Sequence, residues 1–73
     1  MKRILVKSSD ISAIGYDEKS QILEIEFHSG GVYEYSEIPK DLHESLIWAP
    51  SIGKYYNQNI KGRLPSRKLE SVS

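Results

Sequence analysis

Ile22-Leu23-Glu24-Ile25-Glu26-Phe27-His28-Ser29-Gly30-Gly31-Val32-Tyr33-Glu34-Tyr35 is the stretch whose reading decides the fold. From Leu23 it alternates, with Leu23, Ile25 and Phe27 on one face and Glu24 and Glu26 on the other, the period of a half-buried antiparallel strand. His28-Ser29-Gly30-Gly31 has turn composition, and Val32-Tyr33-Glu34-Tyr35 resumes the strand. The parity of that turn sets the face of Tyr33 and Tyr35, because one residue more or less flips every side chain after it. A two-residue loop, Ser29-Gly30 or Gly30-Gly31, places both tyrosines beside Glu24 and Glu26. A three-residue loop with Gly30 left-handed instead pairs Ile25 with Tyr33 and Leu23 with Tyr35. The odd loop is preferred, since it gathers Leu23, Ile25, Phe27, Tyr33 and Tyr35 on one face and leaves Glu24, Glu26 and Glu34 in water.

Upstream, Ile11-Ser12-Ala13-Ile14-Gly15-Tyr16 reads as a first strand, with Ser8-Ser9-Asp10 a polar loop before it and Asp17-Glu18-Lys19-Ser20 a turn after it. Downstream, Ile38-Pro39 breaks the pattern. Pro39 suits the first position of a helix, Asp41 complements its dipole, and Leu42, Leu46 and Ala49 form its apolar stripe. Pro50 stops that helix and Ser51 caps a second one, with Ile52, Tyr55, Tyr56, Asn59 and Ile60 as its buried stripe and Gly62 as its terminator. The run from Ser66 to Ser73 has no period. The expected fold is α+β: a small antiparallel three-stranded sheet followed by two helices packed on one face (βββαα). Residues 1–65 form the single domain and 66–73 a flexible basic C-terminal tail.

A chain of 73 residues has room for one core. Such a core supplies only ~3–5 kcal/mol, and small domains usually add disulfides, a metal or a partner. There is no cysteine, and His28 and His43 fall in a turn and a helix rather than in a ligand spacing, so neither a metal nor a cofactor is expected. Ile4-Leu5-Val6 ends at Lys7, too short for a signal peptide or a membrane span, which implies a soluble, cytoplasmic protein without membrane contact. The formal net charge is zero, but acids predominate between Asp17 and Glu44. From Lys54 to Lys68 every charge is positive: Lys54, Lys61, Arg63, Arg67 and Lys68.

In chain order, Ser8-Ser9, Ile14-Gly15-Tyr16-Asp17, Phe27, Gly30, Tyr33-Glu34-Tyr35, Pro39, Ala49, Ser51, Gly53, Tyr55-Tyr56-Asn57 and Ile60 together resemble the KTSC domain, over about Val6 to Pro65. That family is named for a segment at the C-terminus of some bacterial lysyl-tRNA synthetases, and it also occurs as short stand-alone bacterial proteins with a central Tyr-x-Tyr. The resemblance implies a small α+β module for which RNA binding is suggested by its attachment to a tRNA-handling enzyme. It marks Tyr33 and Tyr35 as a family motif. With no synthetase domain attached, the chain is not expected to aminoacylate tRNA.

The residues themselves offer two binding surfaces. Lys54 and Lys61 lie seven apart on one side of the second helix with Asn57 between them, and Arg63 follows at its end. Such an edge engages phosphates, with Tyr55 at its margin to stack a base, in tRNA or in single-stranded RNA. The competing account is a solvated helix face. Tyr33 and Tyr35 invite comparison with stacking platforms on RNA-binding sheets. Two helices that must bury apolar stripes on the same face make a packing role the preferred one. Ile47 and Trp48 fall off the first helix's stripe; either they form a protein contact, a homodimer included, or the second helix folds back over Trp48. No segment resembles a nucleophile elbow, and Gly30-Gly31 sits in a hairpin rather than between strand and helix. The expectation is a non-catalytic binding module: RNA first, protein contact as the alternative.

Overall fold

Gly30 settles the parity of the central hairpin. The computed structural model describes residues 3–71, and in it Gly30 takes a φ of 103° while its N–H donates to the Phe27 carbonyl at 2.9 Å. The loop joins β3 (Ile22–Phe27) to β4 (Gly31–Tyr35) in the odd register, with Leu23 opposite Tyr35 and Ile25 opposite Tyr33. Only a residue without a side chain enters that part of φ space at no steric cost.

β2 (Ile11–Asp17) pairs antiparallel with β3 through a bulge between Ile11 and Ala13. The extra residue lets both Ile11 and Ile14 face the core, opposite Phe27 and Ile25, although three positions separate them. Two further strands were not anticipated. β1 (Arg3–Leu5) pairs with β2 and β5 (Ser66–Ser71) pairs with β4, so the sheet is five-stranded and antiparallel in the order β1-β2-β3-β4-β5. The expected three-stranded sheet is therefore corrected to five strands, within the α+β class. The run read as a flexible tail is β5 as far as Ser71; Val72 and Ser73 lie outside the described residues. Both additions are edge strands. β1 is too short to show a period, and a register shift opposite Val32 and Tyr33 interrupts any alternation in β5.

α1 (Lys40–Ile47) and α2 (Ile52–Asn59) cover one face of the sheet. Leu46, Ile52, Tyr56 and Ile60 join Ile11, Ile14, Leu23, Ile25, Tyr35 and Ile38 in one buried cluster, each aliphatic side chain contributing on the order of 1.5–3 kcal/mol of transfer free energy. Pro39, with a ψ of 159°, is the residue before α1 rather than its first helical residue. Ser51 caps α2 as expected, its Oγ accepting from the Lys54 N–H at 3.4 Å. Asn59 is exposed, off the stripe assigned to it, and its Nδ2 donates to the Tyr55 carbonyl at 3.1 Å.

The crossing from β4 to α1 is pinned at Ile38, which is fully buried. Its N–H donates to the Gln21 carbonyl at 2.9 Å and its own carbonyl accepts from the Tyr16 hydroxyl at 2.6 Å. Gln21 and Glu37 both take positive φ, 57° and 60°, where the chain bends to reach this contact. Such conformations carry a cost of order 1–3 kcal/mol that the Ile38 anchor must over-determine.

Candidate functional site

The odd register stacks Phe27, Tyr33 and Tyr35 on the helix-covered face, and α2 lays Tyr56 against them. Phe27 meets Tyr33 and Tyr56 edge-on, with ring centroids at 5.7 and 5.5 Å, and Tyr35 meets Tyr56 at 5.7 Å. The hydroxyls of Tyr35 and Tyr56 hydrogen-bond to each other. Burial first, and then that bond, push the Tyr35 phenol well above its ordinary range. Tyr35 and Tyr56 are core, while Tyr33 is only half-buried.

These rings floor an open cleft of about 630 Å³ between α2 and the hairpin. Its rim carries Asp10 and His28 on one side and Asn57 and Lys61 on the other. Each is set by local structure. The Asp10 carbonyl accepts from the His28 N–H at 2.9 Å, tying the polar loop to the hairpin. His28 Nε2 lies 2.9 Å from the Ser8 carbonyl, a contact that fixes the proton on Nε2 in the neutral ring and leaves Nδ1 as an acceptor. Ser8 Oγ accepts from the N–H groups of Asp10 and Ile11, both at 3.3 Å. Gly53 faces that loop, and a Cβ there would just touch Asp10 Oδ2 and Ser8 Oγ, 3.4 Å from each. At the far end of α2 the Ile60 and Lys61 N–H groups both donate to the Tyr56 carbonyl at 2.9 Å, and Gly62 turns the chain away at a φ of 73°.

Of the residues singled out in the sequence, the cleft brings together Asn57, Lys61, Tyr33 and Tyr35. Lys54 and Arg63 are exposed but do not line it. Tyr55 is half-buried against the core and does not line the cleft. Asp10 and His28 were not among the binding candidates, and Lys68 stood only as part of the basic tail. Lys68 is the register partner of Tyr33, so its side chain leaves β5 on the tyrosine's face. Only the pairing of β5 could reveal this, whereas Ser8-Ser9-Asp10 stood in the sequence as a polar loop.

The opposite face of the sheet takes up the acidic charge. Gly15 lies between Arg3 and Glu24 in register, and across it Arg3 Nε reaches Glu24 Oε1 and Arg3 Nη1 reaches Glu26 Oε1, each at 3.2 Å. On the other side Arg67 Nη2 reaches Glu34 Oε1 at 3.1 Å. Arg67 is thereby withdrawn from the basic end, and two of the three sheet carboxylate charges are balanced away from the cleft.

The Ile47-Trp48 pair divides. Ile47 is half-buried on the core, while Trp48 is 81% exposed and is not covered by α2. Ile4 on β1, 69% exposed, shares with Trp48 a shallow groove of about 230 Å³ that also includes Val6, Ile14, His43 and Ile47. His43 stacks on Tyr16, centroids 4.3 Å apart and planes 11° apart. Burial lowers the His43 pKa below its usual 6.5. Among the described residues no group of three or more His, Asp or Glu side chains could hold a metal ion, and no helix is long and apolar enough to cross a membrane.

An antiparallel sheet with two helices on one face and an aromatic-floored groove at their junction defines a small α+β module with a ligand-sized cleft. The KTSC domain matches residues 7–63, and the chain belongs to that family. An uncharacterised protein of Stutzerimonas stutzeri is 43% identical over 61 residues, 84% of this chain and 86% of that protein. A lysine–tRNA ligase of Nostoc punctiforme is 43% identical over 63 residues, which are 86% of this chain but 11% of the ligase. The crystal structure of a KTSC domain protein from Yersinia pestis superposes with a TM-score of 0.92 at 38% identity, covering 94% of this chain and 97% of that one.

Proposed function

We propose that this chain is a non-catalytic, cytoplasmic RNA-binding module whose binding site is the aromatic cleft. The carrying observation is the convergence of Lys61 and Asn57 with the half-buried Tyr33 ring on one groove, with Lys68 opposite Tyr33 in register on β5. Ammonium groups supply phosphate contacts, and an accessible ring edge or face supplies a surface for an unstacked base. The Arg3 and Arg67 ion pairs favour the reading, since they hold Glu24, Glu26 and Glu34 on the far face and balance two of their three charges. The occurrence of the same domain within lysine–tRNA ligases points to RNA, tRNA or a single strand, as the ligand.

The test is an NMR titration of labelled protein with bulk tRNA and with a short single-stranded RNA, at low and at physiological salt. Salt-sensitive shifts at Tyr33, Asn57, Lys61 and Lys68 are expected, with Lys54 and Arg63 following more weakly. Absence of shifts at either salt overturns the reading.

Trp48 favours a second reading, a protein contact. An indole 81% exposed beside Ile4 at the open edge of the sheet suits a partner or a second copy of this chain. Sedimentation across a concentration series checks it: association that survives salt and is lost in Trp48→Ala supports it, and a monomer at all concentrations removes the homodimer.

A further inference from the structure

Among the described residues Asp10 is the one carboxylate on the cleft rim. Among the described residues it forms no ion pair with Lys61 or any other cation, and none of its carboxylate oxygens accepts a hydrogen bond. Its backbone is held on both sides, by the Ser8 Oγ bond to its N–H and by the His28 N–H to its carbonyl. Its Oδ2 faces Gly53, 3.4 Å from where a Cβ would stand there. A negative group in a groove otherwise suited to phosphate is a poor choice for backbone contacts, which it repels, and a good choice for a base edge.

An ionised carboxylate is an acceptor only, with two oxygens that can take two parallel donors. Adenine and cytosine each offer one exocyclic amino group beside a ring acceptor on their pairing edges, and uracil offers a single N–H between two carbonyls. Guanine alone presents two neighbouring donors there, N1–H and the N2 amino group. We infer that the cleft selects an unstacked guanine, its pairing edge read by the Asp10 carboxylate and its ring set against Tyr33. This inference rests on the RNA reading above and names the base that reading would place in the groove. Lys61 and Lys68 serve the flanking phosphates, and Asn57 adds a polar contact at the rim without deciding the base.

The experiment uses the full chain and four pentanucleotides, UUGUU, UUAUU, UUCUU and UUUUU, titrated at low salt by fluorescence anisotropy. Wild type should bind UUGUU at least about fivefold more tightly than the other three, the discrimination expected of one bidentate contact to a base. Asp10→Asn replaces one acceptor oxygen by a donor and should bring UUGUU down to the affinity of the other three while leaving those three unchanged or slightly tighter. Lys61→Gln should weaken all four alike. A heteronuclear NMR spectrum of each variant confirms the fold, and because Asp10 is exposed the substitution leaves the core untouched. Equal binding of all four by wild type, or a guanine preference that persists in Asp10→Asn, overturns the inference and leaves the RNA reading standing. No binding of any of the four, and none of tRNA, removes both.

Discussion

The two faces of the sheet are held by different physics. On the helix-covered face Ile11, Ile14, Leu23, Ile25 and Tyr35 are sealed under α1 and α2, where each lost methylene leaves a void. On the open face Arg3, Glu24, Glu26, Glu34 and Arg67 pair within 3.2 Å while remaining partly exposed. Solvent and salt screen such pairs to about 0–1 kcal/mol each. The comparison teaches that most of the apolar burial resides on one face, while among the described residues the other buries only the side chains of Val32 and Ala13, the register partners of Glu26, and pairs charge. A chain of zero net charge can thus present at its cleft a cation, Lys61, that forms no ion pair among the described residues.

The sharpest way to break this comparison is to make the two faces cost the same. Ile25→Ala at the centre of the covered face should destabilise by about 2–5 kcal/mol. That is comparable with the whole stability of a domain this size, so urea melts should show a largely unfolded population. A variant that melts like wild type would show that the core does not carry the fold.

Next in size is the hydroxyl pair under the cleft. Tyr56→Phe leaves the Tyr35 hydroxyl buried without its partner and should cost about 1–3 kcal/mol. Adding Tyr35→Phe should recover part of that loss, so a double-mutant cycle with a non-zero coupling energy is the expected result, and strict additivity would remove the pair from the account.

On the open face, Arg3→Ala should cost less than about 1 kcal/mol, with the difference from wild type shrinking further in 1 M salt. A loss as large as that of Ile25→Ala would erase the distinction between the faces.

The smallest effect is a pH dependence from the margin of the core. Burial holds the His43 pKa below 6.5, so the unfolded chain binds the proton more tightly than the folded one. Stability from neutral His43 is present above pH 6.5 and is lost as pH falls towards the lowered folded value. The slope stays below ~1.4 kcal/mol per pH unit, and His43→Phe should flatten it in melts recorded between pH 7 and 5.

How much of this could be read in the chain varies with how local the cause is. The β3–β4 register follows from alternation plus one glycine, and the α2 cap from Ser51, because a few neighbouring residues decide each. The same logic failed at β5, where Arg67 and Lys68 look like a basic tail until pairing with β4 sends one to Glu34 and the other to Tyr33's face. Tyr55 and Asn59 show the limit of a helical wheel on a short helix: the wheel assigned both to one stripe, and packing left Tyr55 half-buried and Asn59 exposed. The candidate site was half visible, through Asn57, Lys61 and the Tyr-x-Tyr pair. Asp10 and His28 were not, because they reach the cleft from the opposite end of the β2–β3 pairing.

By itself the sequence determined the α+β class, the central hairpin with a preference for its odd parity, the two helices with their break at Pro50, and the family. These depend on period, turn chemistry and capping, which act over a few residues. Only the tertiary structure decided the two edge strands, the bulge that turns both Ile11 and Ile14 inward, the passage of Arg3 across Gly15, and the gathering of Asp10, Tyr33, Asn57 and Lys61 around one cleft. Each of those joins residues far apart in the chain, and their energy comes from partners that no local window contains.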